Sequence, residues 1–276
     1  MSDPYPPTPT RVLATRWLAA GLAMLAGGCG TTLARDEPAW SQAQQMVLVT
    51  TADWDVNQAT LRSFERTADG WRPMMAATAV TVGRAGSAWG TGLHPLQPGP
   101  VKREGEGRAP AGVFRIGTAF GYGASATTAL PYTAMRASDY CIDVSASPLY
   151  NRIVDANEVG QAAIAGSTEP MRRDIHADGD QRYRLGFVIE HNAGSVPAAG
   201  SCIFAHLWKA PGESTAGCTA MDAAVMKQLL GWLRPERQPI FVLLPQSEYA
   251  RLQLAWSLPE LPPASPVGAA RTPSST

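Results

Sequence analysis

Charge of either sign is scarce in this 276-residue chain: 17% of residues are charged, and 23 basic groups balance 23 acidic ones. A chain without net positive charge cannot neutralise a run of phosphates, which excludes a nucleic-acid binder held by electrostatics. Lysine is rarer still. Lys102, Lys209 and Lys227 are the only three, and Gly99, His206 and Ala224 stand three places before them. The Ser-x-x-Lys of serine penicillin-binding enzymes is therefore absent. No Gly-x-Ser-x-Gly elbow and no His-Glu-x-x-His occur, and Gly105-Glu106-Gly107 lacks the spacing of a dinucleotide or phosphate loop. His94, His176 and His191 are scattered. Asp174, Asp178 and Asp180 lack the bidentate glutamate of a calcium loop. No apolar run reaches the roughly 20 residues that a membrane-spanning helix needs.

What is present is a core. Hydrophobic residues make up 45%, and 26 glycines with 23 prolines favour a turn-rich, strand-rich chain over a helical bundle. Arg11 and Arg16, the apolar stretch Trp17 to Ala26 and then Gly27-Gly28-Cys29 read as a signal for export. Leu25-Ala26-Gly27-Gly28-Cys29 resembles a bacterial lipoprotein box, with Leu25 one step early. That resemblance implies cleavage after residue 28, a lipid on Cys29 and anchoring to a membrane at the periplasmic face. Gly30, rather than Asp, after the cysteine points to the outer membrane. Simple secretion is the alternative.

The expected layout is a signal peptide over 1–28, a tether over 29–45, one mostly-β domain over 46–245, and a short helix with a Pro/Ser-rich disordered tail over 246–276. Strands are predicted at Met46 to Thr51, Gln58 to Arg66, Trp71 to Val82 after an Asp69-Gly70 turn, Val113 to Ile116, Arg184 to His191, Ser201 to Leu207 and Ile240 to Leu244. Asp222 to Leu233 is the clearest helix. Asp222 can cap it, and Val225, Met226, Leu229, Leu230 and Leu233 form an apolar stripe.

Beyond Cys29, three cysteines remain: Cys141, Cys202 and Cys218. In an oxidising compartment an odd number leaves one thiol over. Three pairings are open, as is the reading that all three are small core residues. The pairing we favour is Cys141–Cys202, with Cys218 reduced. Cys218 lies just before the predicted helix. A helix N-terminus and its unpaired N–H groups would favour the thiolate and could receive an oxyanion. Gly217 would let backbone approach a substrate closely. His206, twelve residues upstream on a strand, can be returned to Cys218 by the intervening loop, and a Cys–His pair is the unit of thiol acyl transfer.

Ser201-Cys202-Ile203-Phe204-Ala205-His206-Leu207-Trp208 followed by Thr215-Ala216-Gly217-Cys218-Thr219-Ala220-Met221 resembles the catalytic signature of the L,D-transpeptidase (YkuD) family, in the branch that reads Thr-Ala-Gly-Cys. Lys102 to Phe114, Ala119 to Tyr122 and Ser147-Pro148-Leu149-Tyr150-Asn151-Arg152 add to the resemblance in the family's order. It implies a mostly-β, transpeptidase-like mixed-sheet sandwich with a few short helices. It implies Cys218 as nucleophile, His206 as base, the Leu207 carbonyl holding the imidazole, and the Gly217 and Cys218 N–H groups as oxyanion hole. The substrate would be a peptidoglycan stem tetrapeptide, cut at its L,D bond with loss of D-alanine and passed to an amine acceptor for cell-wall cross-linking. No metal or cofactor is implied, and the chain would act as a monomer. Ala216, Ala220 and Ala109 stand where better-known members carry histidine, arginine and threonine. Carboxylate binding therefore falls to Arg152, Arg103 and Lys102, with Trp208 as a candidate cleft residue. Competing readings are an L,D-carboxypeptidase or amidase that uses water, and a wall-binding lipoprotein with a degenerate site.

Overall fold

The computed structural model describes residues 37–261. The export segment 1–28, Cys29 with the first part of the tether, and the tail after 261 lie outside the described residues. Fourteen strands follow in order: β1 (Gln45–Thr51), β2 (Gln58–Thr67), β3 (Gly70–Pro73), β4 (Thr78–Thr81), β5 (Ser87–Trp89), β6 (Ala109–Gly121), β7 (Tyr132–Ala134), β8 (Asp139–Cys141), β9 (Ile153–Asp155), β10 (Glu169–Pro170), β11 (Leu185–Ile189), β12 (Phe204–Leu207), β13 (Thr219–Met221) and β14 (Ile240–Pro245). Four α-helices accompany them among the described residues, α1 (Ala156–Val159), α2 (Arg173–His176), α3 (Ala223–Trp232) and α4 (Gln246–Leu252), with two short 3-10 helices at Gln161–Ile164 and Pro235–Arg237.

The chain is mostly β, as its composition predicts. The expected sandwich is not what forms. Strands run β1-β14-β6-β11-β12-β13-β4-β2, and β2 then pairs with β1. The sheet thus closes on itself as a mixed barrel, which leaves no free edge within the ring. β3 extends the β2 edge, β5 and β7 pair with β6, and β8, β9 and β10 form a separate small sheet. The predicted strand Trp71 to Val82 is broken. Its halves β3 and β4 both pair with β2, and the chain leaves the ladder after Pro73, which has no N–H to donate.

Runs of β-branched and aliphatic residues become the central strands. Every residue of β1 and β14 is buried, consistent with their continuous apolar runs. A fully buried side chain such as Leu48 or Phe241 contributes about 2 kcal/mol. Asp222 caps α3, its carboxylate accepting the Ala224 N–H at 2.7 Å.

The domain is longer at both ends than the sequence suggested. Trp40 and Ala43, assigned to the tether, are buried in the main core. Trp40 donates its indole N–H to the Trp256 carbonyl and stacks edge-on against that ring at 5.3 Å. Tyr249, Leu252, Trp256 and Leu258, assigned to the terminal segment, belong to the same core.

Two apolar clusters result. Alternate residues of β12 divide between them, because side chains of a strand point to opposite faces. Ala205 and Leu207 enter the main core, whereas Phe204 joins a smaller cluster with Phe120, Met135, Met171, Tyr183 and the three cysteines. His206 shares the Phe204 face.

Candidate active site

β12 and β13 lie side by side and parallel, with His206 opposite Ala220. Cys218 stands one residue before β13. Stepping back two residues on each strand puts Cys218 beside Phe204, so Cys218 and His206 occupy one face of the sheet as diagonal neighbours. The contact at that step is direct: the Phe204 N–H donates to Cys218 Sγ at 3.3 Å. Both side chains line one cavity of about 200 Å³.

Cysteine pairing follows the favoured reading. Cys141 and Cys202 form a disulfide, and Cys218 is a free thiol. The imidazole is also held as expected, with Nδ1 2.7 Å from the Leu207 carbonyl. A carbonyl only accepts, so Nδ1 carries the hydrogen and Nε2 keeps its lone pair. The Tyr183 ring meets the imidazole edge-to-face at 5.2 Å and fixes its tilt.

Two electrostatic expectations are overturned. First, Cys218 does not sit at a helix N-terminus. The strand Thr219–Met221 intervenes before α3, and the influence of a helix end fades within about one turn. Second, the thiol is buried, with 8% of its surface accessible. Burial pushes it up to about 12, reinforced by the Glu169 carboxylate and opposed by the Phe204 N–H, Arg182 and Lys102. Burial lowers His206 to about 4, partly offset by the Leu207 carbonyl. Both shifts favour a neutral thiol beside a neutral imidazole at neutral pH over a thiolate–imidazolium ion pair. The thiol's own hydrogen bond runs to the Cys202 carbonyl at 3.4 Å.

The oxyanion hole is half available. The Gly217 N–H donates to Thr215 Oγ1 at 3.1 Å, and that hydroxyl donates to the Cys218 carbonyl at 2.6 Å. The Cys218 N–H has no acceptor among the described residues. A Cβ on Gly217 would lie 3.1 Å from the Arg108 carbonyl, a tight contact with backbone.

Of the four proposed substrate contacts, one lines the cavity. Lys102 is buried there, its ammonium paired with Glu106 at 3.5 Å and donating to the Arg103 carbonyl. Arg103 and Arg152 are exposed and line no part of it. Trp208 packs elsewhere, donating its indole N–H to Thr81 Oγ1 at 2.8 Å. Composition could not sort these, since nothing in a lone surface arginine records which way the loop will turn.

The cavity adds groups the sequence reading missed. Arg84 and Arg182 bring cationic charge, and Glu104, Asp143 and Glu169 bring anionic charge. Arg182 is paired with Asp180 at 2.7 Å. Arg84 has no ion pair among the described residues, and its guanidinium lies where a side chain on Gly107 would be, 3.0 Å from that Cβ position. Burial raises Glu169, opposed by the Tyr183 hydroxyl and Arg173. The quoted motifs were the available signal for some of this. Lys102 to Phe114 places Lys102 and Glu104, while in Ser147 to Arg152 the residues that reach the site are Tyr150 and Asn151. Tyr150 donates to the Glu104 carboxylate, and Asn151 Oδ1 accepts the Cys202 N–H at 2.9 Å.

These groups can perform acyl transfer through sulfur: an attacking atom, a proton acceptor with a fixed tautomer, one free amide at the attacking residue, and cations to hold a carboxylate. No family model, curated protein or solved structure matches the chain.

Proposed function

We propose that the protein is an exported, lipid-anchored peptidoglycan L,D-transpeptidase of the YkuD type, the barrel being its catalytic domain. The observation that carries this reading is the shared cavity. Among the described residues Cys218 is the one unbridged cysteine, and it opens onto the same space as an imidazole whose Nδ1 is occupied and whose Nε2 is available.

The chemistry follows from the neutral resting pair. A stem tetrapeptide brings its scissile carbonyl to the sulfur. His206 Nε2 takes the thiol proton as sulfur adds to the carbonyl carbon, so free thiolate never accumulates. The Phe204 N–H stabilises the charge building on sulfur, and the Cys218 N–H receives the oxyanion. The Gly217 N–H joins once Thr215 Oγ1 releases it. The imidazolium returns its proton to the D-alanine nitrogen as the C–N bond breaks, leaving a thioester. An acceptor amine then gives up a proton to His206 and displaces sulfur, which regains a proton. Arg84, Lys102 and Arg182 line the cavity, and of these Arg84, which has no ion pair among the described residues, is the cation offered to the substrate's carboxylate.

The test is product analysis with disaccharide tetrapeptide. Cross-linked dimers with release of D-alanine are expected from the wild type and none from Cys218→Ala. Tripeptide alone assigns the site to the hydrolase reading. Substrate left intact by folded wild-type protein, or turnover kept by Cys218→Ala, overturns the assignment. Intact mass after carbapenem treatment gives a second readout, with one adduct expected on Cys218.

A further inference from the structure

The residue before Ile203 is held more firmly than a disulfide staple requires. Cys202 has φ +55°, in the left-handed region that residues other than glycine, asparagine and aspartate rarely occupy. Two attachments fix it there. Its sulfur is bonded to Cys141, which is itself buried, and its N–H donates to Asn151 Oδ1. Asn151 is in turn left-handed, at φ +62°. Its Nδ2 donates to the carbonyls of His191 and Asn192 at 3.0 and 2.9 Å. Asn192, at φ +53°, ties down the following loop through Val196 and Gly200. Asn151 uses its acceptor and its donors at once, which the acceptor-only carboxylate of aspartate could not do.

This chain of contacts ends on the nucleophile. The Cys202 carbonyl accepts the thiol hydrogen of Cys218, and two residues on, the Phe204 N–H donates to the same sulfur. Unusual backbone angles held by surrounding structure gather at functional sites, and that of Cys202 lies one hydrogen bond from the Cys218 sulfur. We infer that Asn151 and the Cys141–Cys202 disulfide are positioning elements for Cys218: together they aim the Cys202 carbonyl so that the thiol rests protonated, in one orientation, until a substrate arrives. Opening the disulfide or removing the Asn151 amide frees that carbonyl. The thiol then loses its orientation, reacts more readily with small electrophiles and less productively with substrate. The effect on turnover rests on the transpeptidase reading; the effect on the thiol does not.

The experiment compares wild type, Asn151→Ala and the double variant Cys141→Ala/Cys202→Ala. The rate of Cys218 alkylation by iodoacetamide is followed against pH, with the adduct located by peptide mass analysis. Steady-state kcat and KM with tetrapeptide and the unfolding temperature are measured alongside. His206, Tyr183, Lys102, Arg182, Glu169, Arg84, Glu104 and Asp143, the ionisable groups that line the cavity with the sulfur, are unchanged in all three proteins. The expected result is alkylation at pH 7 at least fivefold faster in both variants, with its inflection shifted toward that of an ordinary thiol. The expected kcat is at least tenfold lower, with KM within twofold. Folded variants with the wild-type alkylation profile would reduce both features to structural staples and overturn the inference, whatever happens to the unfolding temperature. If the variants do not fold, wild type reduced under native conditions supplies the same comparison. Wild type without turnover defeats the transpeptidase reading and leaves the alkylation result to decide this one.

Discussion

The Leu207 carbonyl lies 2.7 Å from Nδ1 of His206, the residue just before it in the chain. The contact needs no partner from elsewhere in the fold, and it leaves Nε2 as the ring's proton acceptor. In the proposed mechanism the backbone would do the work that a third side chain does in many triads. Replacing the imidazole should remove the proton acceptor without touching the substrate's cationic contacts. His206→Gln is expected to lower kcat by about 10²–10⁴-fold with KM little changed. A loss smaller than tenfold in steady-state assays would show that another group takes the thiol proton.

The neutral resting pair sets the pH dependence. His206 is lowered to about 4 and Cys218 is pushed up to about 12. In the proposed mechanism the competent form, free imidazole with thiol, therefore spans neutral pH. We expect kcat/KM to be level from pH 6 to pH 8 and to fall only as pH approaches 4 and His206 takes a proton. A thiolate–imidazolium site would instead show an alkaline limb near neutrality.

The same burial makes the fold acid-sensitive. His191 is also lowered to about 4, by burial above all, with smaller opposing help from the Ala199 and Thr91 backbone. In the unfolded chain both histidines bind protons below about pH 6.5, whereas the folded chain refuses them down to about 4. Stability is thus full above pH 6.5 and falls with falling pH through that window. Each ring should cost about 2 kcal/mol between pH 7 and pH 5. Denaturant unfolding at the two pH values measures this, and His206→Phe should remove that ring's share of the loss.

Thr215 ties the loop before the nucleophile to the nucleophile's own carbonyl. Thr215→Val keeps the shape and deletes the hydroxyl, leaving the Cys218 carbonyl and the Gly217 N–H without that partner. The expected cost is about 1–3 kcal/mol of stability, and Thr215→Ser should restore most of it. Thermal unfolding of the pair, run beside acylation rates, separates the loop's structural role from its effect on the oxyanion donors.

Arg84 is the cavity cation without an ion pair among the described residues, so its charge is free for a substrate carboxylate. Arg84→Gln is expected to raise KM at least fivefold with kcat nearly unchanged, the signature of lost uniform binding. Arg103→Gln and Arg152→Gln, both outside the cavity, should behave as wild type. Equal effects from all three would point to general surface charge.

Much of the fold could be read from local patterns. Continuous apolar runs marked β1, β12 and β14, and one aspartate before an apolar stripe marked α3. The small sheet β8-β9-β10 was missed because its strands are two or three residues long and carry no period. β6 is 13 residues long, far beyond the predicted Val113 to Ile116, because glycine and proline at its start disguise a strand whose ladder is supplied by its neighbours. Barrel closure was illegible for a similar reason, since it depends on β2 meeting β1 as well as β4, a pairing no single segment encodes.

Residue identity alone limited which chemistry the chain could attempt: an odd number of cysteines beyond Cys29, a histidine near the end of an apolar strand, and no lysine placed to serve a serine nucleophile. Tertiary structure decided the state in which those groups rest. Burial and the direction of nearby N–H and C=O groups set a thiol's ionisation, and both depend on segments far apart in the chain. That is why Cys218, expected as a helix-activated thiolate, is instead a protonated thiol held against the carbonyl of Cys202.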